Sequence, residues 1–593
     1  MSRGKVSCIV LAAVFVLGLL QLGSRLGEVQ VDQAAQYNYA SRRQSVRRVQ
    51  VGGVRGRILD RHGAVLADNR LSLSIVCEPL FFQRKTWEGT VTEIVRAISE
   101  VAGLIGRPSV VSEKDVRRHV NQSLALPLTV WREIDARELA VFSEHQRDLP
   151  GFSVEETEVR VYPNGPVAAH LLGYVGRDRV RAEAGDERFN FFLPEMRGRS
   201  GVELFYDGFL CGVPGEKKAL VDARGFSLGD WTVVEPGRGP DLRLTIDMDL
   251  QREAERQLQG VRGACVMVDP RNGAVLAMAS APGFDPNEFV PTLSSELYER
   301  LAGDPDKPLL NRAVGGLYAP GSTFKPVTAL AGLSAGFPAS ETHFCNGVFE
   351  LGQMRLHCAS RWGHGDVDMR HALMKSCNPF FCSLALEVGT NALIRSARAF
   401  GLGEKTGLDF GIDGAGVVPD ADWKMRKYGE RWFTGDVAQM SIGQGMLLVS
   451  PLQMALVAGA IGTGFRVTPH LKQDVSSERR PLPFAADQLK VVREGMRFVV
   501  AGDGEDRGTG WRAGDGVSVS VSGKTGTAEI GSGTRRRKNV WFIAYAPSDA
   551  PRVAVALVVE NGASGGGDAA PRVGAVLRRF FCSPEPRTSI PTT

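Results

Sequence analysis

The chain has 593 residues, which is too long for one ordinary domain and predicts two to four. Hydrophobic residues make up 43% of the chain and charged residues 23%, the proportions of a globular protein, so wholesale disorder is excluded. The formal net charge of +5 is small for this length and does not favour nucleic acid as a partner.

The N-terminus predicts a membrane anchor. Arg3 and Lys5 precede an uncharged, apolar run from Val6 to Leu22. At about 1.5 Å per residue, this run is at the lower limit for a helix that crosses a bilayer. Positive charge before the run predicts that the N-terminus stays in the cytoplasm and the rest of the chain is exported. A cleaved signal peptide is the alternative, but Arg25 stands where a small residue would precede the cleavage site.

The first half of the chain alternates strand, turn and helix signals. Residues 24–53 are polar and basic and predict a solvated linker. Arg55–Ala67 predicts a hairpin in which Gly63 supplies the positive φ of a tight turn. Helical patterns follow near Thr90–Leu104 and Ser112–Leu124.

The second half begins and ends with strands. Leu242–Asp247 predicts a strand and Met248–Leu258 a helix with an apolar face. Asn272-Gly273 lies between two apolar runs and predicts a hairpin. Three further strands are predicted near the C-terminus: Val517–Val521, Val540–Ala546 and Val553–Glu560. Strands at both ends with helices between them predict an α+β domain, an antiparallel sheet flanked by helices.

The first of three short motifs is Ser322-Thr-Phe-Lys325, which follows Pro-Gly and precedes an apolar stretch. The motif therefore predicts the start of a helix, with Lys325 about one turn after Ser322 and beside its hydroxyl. A desolvated lysine can take the serine proton and activate the hydroxyl as a nucleophile. Taken alone, Ser-x-x-Lys is common, and a capped surface helix would give the same pattern.

The second motif is Ser376-Cys-Asn378, between a helical segment and Pro379. A hydroxyl and an amide two residues apart can point into one cleft, where Ser376 could relay a proton between Lys325 and a leaving amine. Asn378 could hold a substrate amide there. Taken alone, the pattern favours a helix C-cap.

The third motif is Lys524-Thr525-Gly526-Thr527, preceded by Ser522-Gly523. A phosphate-binding loop would need a glycine five residues before Gly523, but Ser518 stands there, so nucleotide binding is rejected. On an edge strand, Lys524 and Thr525 would bind a substrate carboxylate. The Thr527 N–H could then complete an oxyanion hole with that of Ser322.

The order and spacing of the three motifs match those of β-lactamases and penicillin-binding proteins. The chain resembles the class B penicillin-binding proteins, and within them the elongation-type D,D-transpeptidases. The resemblance extends over nearly the whole chain beyond the anchor and includes these segments: Arg55–Arg61, Ala169–Tyr174, Gly201–Glu203, Trp362–Gly365, Ser441–Gly445, Ser450–Ala455 and Trp541–Phe542. Division-type relatives are the close alternative.

This resemblance implies a penicillin-sensitive serine acyltransferase of the bacterial inner membrane. Ser322 would attack the penultimate D-Ala of a peptidoglycan stem peptide, release the terminal D-Ala, and pass the acyl group to a neighbouring amine. Lys325 would be the base, with Ser376, Asn378 and Lys524 in the catalytic set. Thr525, Gly526 and Thr527 would bind substrate. No cofactor is needed for this catalysis, and the partners implied are stem peptides, β-lactams, a polytopic glycan polymerase and other elongation proteins.

A second cluster of residues predicts a structural zinc site. Cys345, Cys358, His364 and Cys377 lie between or within the first two motifs, and three thiolates with one imidazole suit tetrahedral zinc. Their spacing is not that of a zinc finger. A Cys345–Cys358 disulfide, formed in an oxidising periplasm, is the alternative.

Two other enzymes and one non-catalytic protein remain as alternatives to a transpeptidase. They are a class D β-lactamase, a carboxypeptidase and an antibiotic sensor or scaffold. The predicted organisation in chain order is a cytoplasmic tail (1–5), a transmembrane anchor (6–23), a linker (24–53), an elongated pedestal (54–238), a transpeptidase domain (239–581) and a disordered tail (582–593). The long pedestal argues against a β-lactamase, and the few residues before the anchor argue against a sensor.

Overall fold

The computed structural model describes residues 3–34, 46–124, 126–178, 191–192, 195–221, 227–290, 293–531 and 537–582. Two predicted features therefore fall partly outside the described residues: the linker at 24–53, of which 35–45 are not described, and the tail at 582–593, of which only residue 582 is described.

The helices are α1 (Arg3–Gly27), α2 (Trp87–Ile105), α3 (Glu113–Ser123), α4 (Ala136–His145), α5 (Ala169–Leu172), α6 (Gly201–Phe205), α7 (Asp207–Leu210), α8 (Met248–Gln257), α9 (Ser295–Gly303), α10 (Lys325–Ser334), α11 (Met369–Met374), α12 (Asn378–Ala399), α13 (Ala421–Tyr428), α14 (Thr434–Ser441), α15 (Pro451–Thr463), α16 (Ala486–Ala501) and α17 (Ala570–Cys582).

The strands are β1 (Val46–Val51), β2 (Ile58–Leu59), β3 (Val65–Cys77), β4 (Leu128–Trp131), β5 (Phe152–Val161), β6 (Val175–Asp178), β7 (Phe191–Phe192), β8 (Glu195–Gly198), β9 (Gly215–Val221), β10 (Ser227–Val234), β11 (Leu242–Arg243), β12 (Gly263–Val268), β13 (Val275–Ala281), β14 (His343–Cys345), β15 (Val348–Leu351), β16 (Met354–His357), β17 (Gly365–Val367), β18 (Phe465–Val467), β19 (Arg479–Pro481), β20 (Ser522–Ile530), β21 (Arg537–Ala546) and β22 (Val553–Glu560).

The N-terminal helix is the one helix among the described residues that is long and apolar enough to cross a membrane. The segment Ile9–Asp32 has a mean hydropathy of 2.0 and is not buried against the rest of the chain. Helix α1 starts at Arg3 and a π-helical turn, Glu28–Asp32, follows it directly. The helix is thus longer than the predicted anchor at 6–23, because flanking polar residues continue the helical backbone.

The first half of the chain contains two sheets, with strand orders β10-β9-β1-β7 and β11-β2-β3-β4, and β5 also pairs with β3. Strand β1 corrects the predicted linker, since Val46–Val51 pairs antiparallel with β9 along its whole length. The basic residues of this segment suggested a solvated chain. The structure instead pairs Arg48 with Glu216 of β9 at 2.7 Å, so the segment is an ordered part of the sheet.

The predicted hairpin at Arg55–Ala67 is confirmed. Strands β2 and β3 pair antiparallel, and Gly63 has a φ of +89° in the turn. Strand β11 pairs parallel with β2, with Leu242 opposite Ile58, so the hairpin also contacts the start of the second half. This pairing is one of several contacts between the two halves, together with the hydrogen bonds Tyr162–Asn287 and Ala168–Glu255.

The second half is organised around a five-stranded antiparallel sheet of order β13-β12-β22-β21-β20. Alternate residues of the strands enter two cores: one face packs against α10, α12 and α15, and the other against α8 and α17. The predicted α+β class is therefore confirmed. The predicted strand at Val517–Val521 is wrong, because β20 starts only at Ser522. The third motif thus lies within the strand itself, at the edge of the sheet.

Candidate active site

The first motif starts a helix, as predicted. Gly321–Phe324 form a single 3-10 turn that continues into α10, with Pro326 in the first helical turn. Gly321 has a φ of +56°, and a Cβ atom there would lie 2.7 Å from the Thr527 carbonyl oxygen of β20. Glycine therefore permits both the backbone conformation and the close approach of β20 to the turn that carries Ser322.

Lys325 is fully buried. Its Nζ donates hydrogen bonds to the Ser376 carbonyl oxygen at 2.7 Å and to Asn378 Oδ1 at 2.6 Å, and lies 3.3 Å from Ser376 Oγ. Burial lowers the pKa of Lys325 to about 8, although nearby cysteines partly offset this effect. In the described part of the chain no hydrogen bond reaches the Ser322 hydroxyl. Lys325 thus connects the first and second motifs, and its predicted contact with Ser322 is not a hydrogen bond here.

The second motif occupies the turn between α11 and α12. Ser376 has a φ of +54°, an uncommon value for a residue other than glycine. Asn378 begins α12, and its Nδ2 donates to the His357 carbonyl oxygen at 2.7 Å. The strained turn holds the Ser376 hydroxyl between two amines, 3.3 Å from Lys325 Nζ and 2.9 Å from Lys524 Nζ.

The third motif lies on the edge strand β20. Lys524 is fully buried, and its Nζ donates to Ser376 Oγ at 2.9 Å and to the Thr525 carbonyl oxygen at 3.0 Å. Burial, together with the positive charge of Lys325, holds the pKa of Lys524 well below its ordinary value. A Cβ atom at Gly526 would lie 2.7 Å from Thr323 Cγ2, so glycine again permits close packing of the strand on the turn after Ser322.

Strand β20 also brings Thr527 next to the Gly321–Phe324 turn, which carries Ser322. Its carbonyl oxygen accepts a hydrogen bond from Gln444 Nε2 at 3.3 Å. The backbone N–H of Gly321 donates to the Gly443 carbonyl oxygen at 2.8 Å. The segment that carries Gly443 and Gln444 is therefore hydrogen-bonded both to the turn that carries Ser322 and to β20. All eight predicted residues of the three motifs lie in one cluster.

One residue of this cluster was missed by the sequence analysis. Thr509, in the segment between α16 and β20, has its Oγ1 3.0 Å from Thr525 Oγ1 and 3.1 Å from the Met374 carbonyl oxygen. Gly508-Thr509-Gly510 has no catalytic motif, and its distance along the chain from Met374 gives no sign of a contact. The packing of α16 against α11 brings the segment here.

The four predicted metal ligands are close together. The ligand atoms of Cys345, Cys358, His364 and Cys377 all lie within 4.8 Å of one another. His364 Nδ1 lies 3.4 Å from Cys358 Sγ and 3.7 Å from Cys345 Sγ. A hydrogen bond from Cys377, and then one from His364, lower the pKa of Cys358, whereas the same contact raises the pKa of Cys377. Cys358 is therefore the member of this pair that becomes a metal-binding thiolate first. All eight described cysteines are free thiols. This donor set fits a structural zinc ion.

The comparisons with known proteins agree with this arrangement of motifs. Residues 263–578 match the family model for the penicillin binding protein transpeptidase domain, and residues 50–244 match that for the penicillin-binding protein dimerisation domain. The chain belongs to the penicillin-binding protein transpeptidase family. The predicted resemblance is thus confirmed.

Relatives within this family align over most of the chain. The peptidoglycan D,D-transpeptidase MrdA of Acinetobacter baumannii is 32% identical, covering 95% of this chain and 85% of its own length. The structure of penicillin-binding protein 2 in complex with MreC from Helicobacter pylori superposes with a TM-score of 0.78 at 27% identity, covering 90% of this chain and 99% of that one. A peptidoglycan synthase complex that coordinates polymerization and crosslinking contains a chain with a TM-score of 0.72 at 29% identity, covering 99% of this chain and 100% of its own length.

Proposed function

We propose that the chain is an elongation-type peptidoglycan D,D-transpeptidase that cross-links stem peptides through an acyl-enzyme on Ser322. The observation that carries this proposal is the fully buried Lys325, which lies one turn after Ser322 and hydrogen-bonds the second motif. The proposed chemistry uses side chains and backbone N–H groups of the three motifs and needs no cofactor.

Lys325 is suited to act as the general base for Ser322. A neutral amine has two N–H groups and one lone pair. The two short hydrogen bonds to Ser376 O and Asn378 Oδ1 use both N–H groups, so the lone pair is left for the serine proton. With that proton removed, Ser322 attacks the penultimate D-Ala carbonyl of the donor stem peptide. Backbone N–H groups of Ser322 and Thr527 stabilise the oxyanion.

Collapse of the tetrahedral intermediate needs a proton for the leaving D-Ala amine. The Ser376 hydroxyl lies between Lys325 and Lys524 and can pass the proton from Lys325 to that amine. Lys524 and Thr525 bind the terminal carboxylate of the donor, and Asn378 binds its amide. The acyl group then passes to the amine of a neighbouring peptide by the same route in reverse.

The persistence of a bound penicillin separates this function from its alternatives. We expect a fluorescent penicillin to label the purified protein and to remain bound for hours, since a transpeptidase excludes water from its acyl-enzyme. Label that disappears within minutes would identify a β-lactamase. A sensor would also retain the label, so a second assay must detect cross-linked dimers from a donor pentapeptide and an acceptor peptide. Free D-Ala without dimers would identify a carboxypeptidase.

The pKa of Lys325 predicts how acylation depends on pH. Because the neutral amine is the active form and the pKa is about 8, the rate constant for penicillin acylation should rise about tenfold per pH unit below that value and level off above it. Stopped-flow measurement between about pH 6 and pH 10 would test this. A rate constant independent of pH across this range would exclude Lys325 as the titrating base.

We also propose that Cys345, Cys358, His364 and Cys377 hold a structural zinc ion. When bound, zinc would supply no catalytic chemistry but would tie the segment 345–364 to Cys377. Because Cys377 lies between Ser376 and Asn378, this link would support the strained turn of the second motif. Asn378 is already tied to the same segment through the His357 carbonyl oxygen.

Metal analysis would test the zinc proposal. We expect about one equivalent of zinc in the purified protein, with its loss in Cys345→Ala and in His364→Ala. Cys382→Ala is the matched control, because Cys382 is equally buried but lies outside the cluster. Less than about a tenth of an equivalent of zinc, with thiols titrating as oxidised, would contradict the proposal and favour the disulfide.

The location and partners follow from the N-terminal helix and the relatives. We propose that α1 is a single-pass anchor in the bacterial inner membrane, with the bulk of the chain in the periplasm. The related structures contain MreC in one case and a peptidoglycan synthase complex in the other. By analogy, the pedestal is proposed to dock a polytopic glycan polymerase and other elongation proteins.

A further inference from the structure

The segment between α16 and β20 places one more hydroxyl next to the proposed carboxylate site. Thr509 Oγ1 lies 3.0 Å from Thr525 Oγ1, which in turn lies 3.4 Å from Lys524 Nζ. Lys524 and Thr525 are buried, whereas Thr509 is exposed. Thr509 is therefore the outermost of three adjoining polar side chains.

The hydrogen bonds of this trio have a defined direction. A carbonyl oxygen only accepts, so the Thr509 hydroxyl donates its one proton to the Met374 carbonyl at 3.1 Å. Thr509 must then accept from Thr525, and Thr525 from Lys524. The last hydroxyl proton of this hydrogen-bond chain, that of Thr509, is therefore donated to a neutral backbone carbonyl in the last turn of α11, while the Thr509 residue as a whole is exposed.

We propose that Thr509 is a substrate-binding residue, whose hydroxyl joins Lys524 and Thr525 in binding the terminal carboxylate of the acyl donor. This inference rests on the proposed role of Lys524 and Thr525. A carboxylate accepts about four hydrogen bonds, and Lys524 already donates to Ser376 and to the Thr525 carbonyl. Thr509 supplies a further donor, and a charged oxygen is a stronger acceptor than the Met374 carbonyl.

Two acylating probes that differ only in the carboxylate test this role. Benzylpenicillin carries the carboxylate, and its methyl ester does not. For the full-length protein in detergent we expect Thr509→Val to lower the ratio of the two acylation rate constants about tenfold. Thr509→Ser should restore the ratio, and Thr509→Asp should lower it further by repulsion. Thr92→Val is the matched control with an unchanged ratio, because Thr92 is also exposed and donates to a backbone carbonyl at 2.9 Å.

The outcomes separate this inference from the function on which it rests. An equal loss with both probes in Thr509→Val, or a serine variant that does not restore the ratio, would mean that Thr509 only supports the fold. An unchanged ratio in Thr509→Val alongside a lowered ratio in Thr525→Val would overturn the role of Thr509 alone. An unchanged ratio in both variants would overturn the carboxylate site itself.

Discussion

Replacing Lys325 by methionine is expected to reduce the rate constant of penicillin acylation by at least about a thousandfold, close to the loss in Ser322→Ala. Methionine preserves most of the side-chain volume in this buried position but cannot accept the Ser322 proton. It also removes the hydrogen bonds to Ser376 and Asn378 that hold the second motif against α10. Time-resolved labelling with a fluorescent penicillin measures the rate constant directly.

A second buried lysine provides the control for this substitution. Lys424 is 5% exposed and pairs with Asp436 at 2.8 Å and with Glu430, neither of which belongs to the three motifs. Lys424→Met should therefore leave the acylation rate constant within a few-fold of the wild type, even if the protein becomes less stable. Acylation of Lys325→Met within about tenfold of the wild type would show that another group activates Ser322.

Replacing Glu203 by glutamine is expected to lower the free energy of unfolding of the pedestal by about 3–5 kcal/mol. Glu203 is fully buried and accepts hydrogen bonds from Arg55 Nε at 2.6 Å and from Arg160 Nε at 2.7 Å. The neutral amide leaves two buried guanidinium groups without this counter-charge. Among the described residues, Arg55 keeps another carboxylate, that of Asp207 at 2.6 Å, and Arg160 does not. Urea unfolding of the full chain in detergent, followed by tryptophan fluorescence, would measure the loss.

An exposed ion pair in the same pedestal is the matched control. Glu88 pairs with Arg117, and the two side chains are 70% and 44% exposed. Glu88→Gln should leave the unfolding midpoint unchanged, since water and salt screen such pairs. If Glu203→Gln also left the unfolding midpoint unchanged, the buried network would not be needed for the stability of the pedestal. Retained penicillin labelling in Glu203→Gln would locate the damage in the pedestal and away from the active site.

Local sequence signals predicted individual elements correctly where the turn-forming residues and the pattern of apolar residues indicated the same structure. The Pro-Gly step before Ser322 predicted the start of α10, and Asn272-Gly273 predicted the β12–β13 hairpin. The prediction failed for Val517–Val521, where alternating apolar residues lie outside any strand because the sheet register begins only at Ser522. The prediction also failed for β1. The basic residues of this segment suggested a solvated linker, but the segment pairs with β9 as a strand.

The sequence by itself determined the family, the fold class and the eight motif residues, because these depend on residue types at short spacing within single elements. Only the tertiary structure decided which atoms meet across elements. The contact of Lys325 with Ser376 and Asn378, the strained φ of Ser376 and the position of Thr509 beside Thr525 all join segments far apart in the chain. Such contacts depend on how the helices pack around the edge strand β20, and no local pattern encodes that packing.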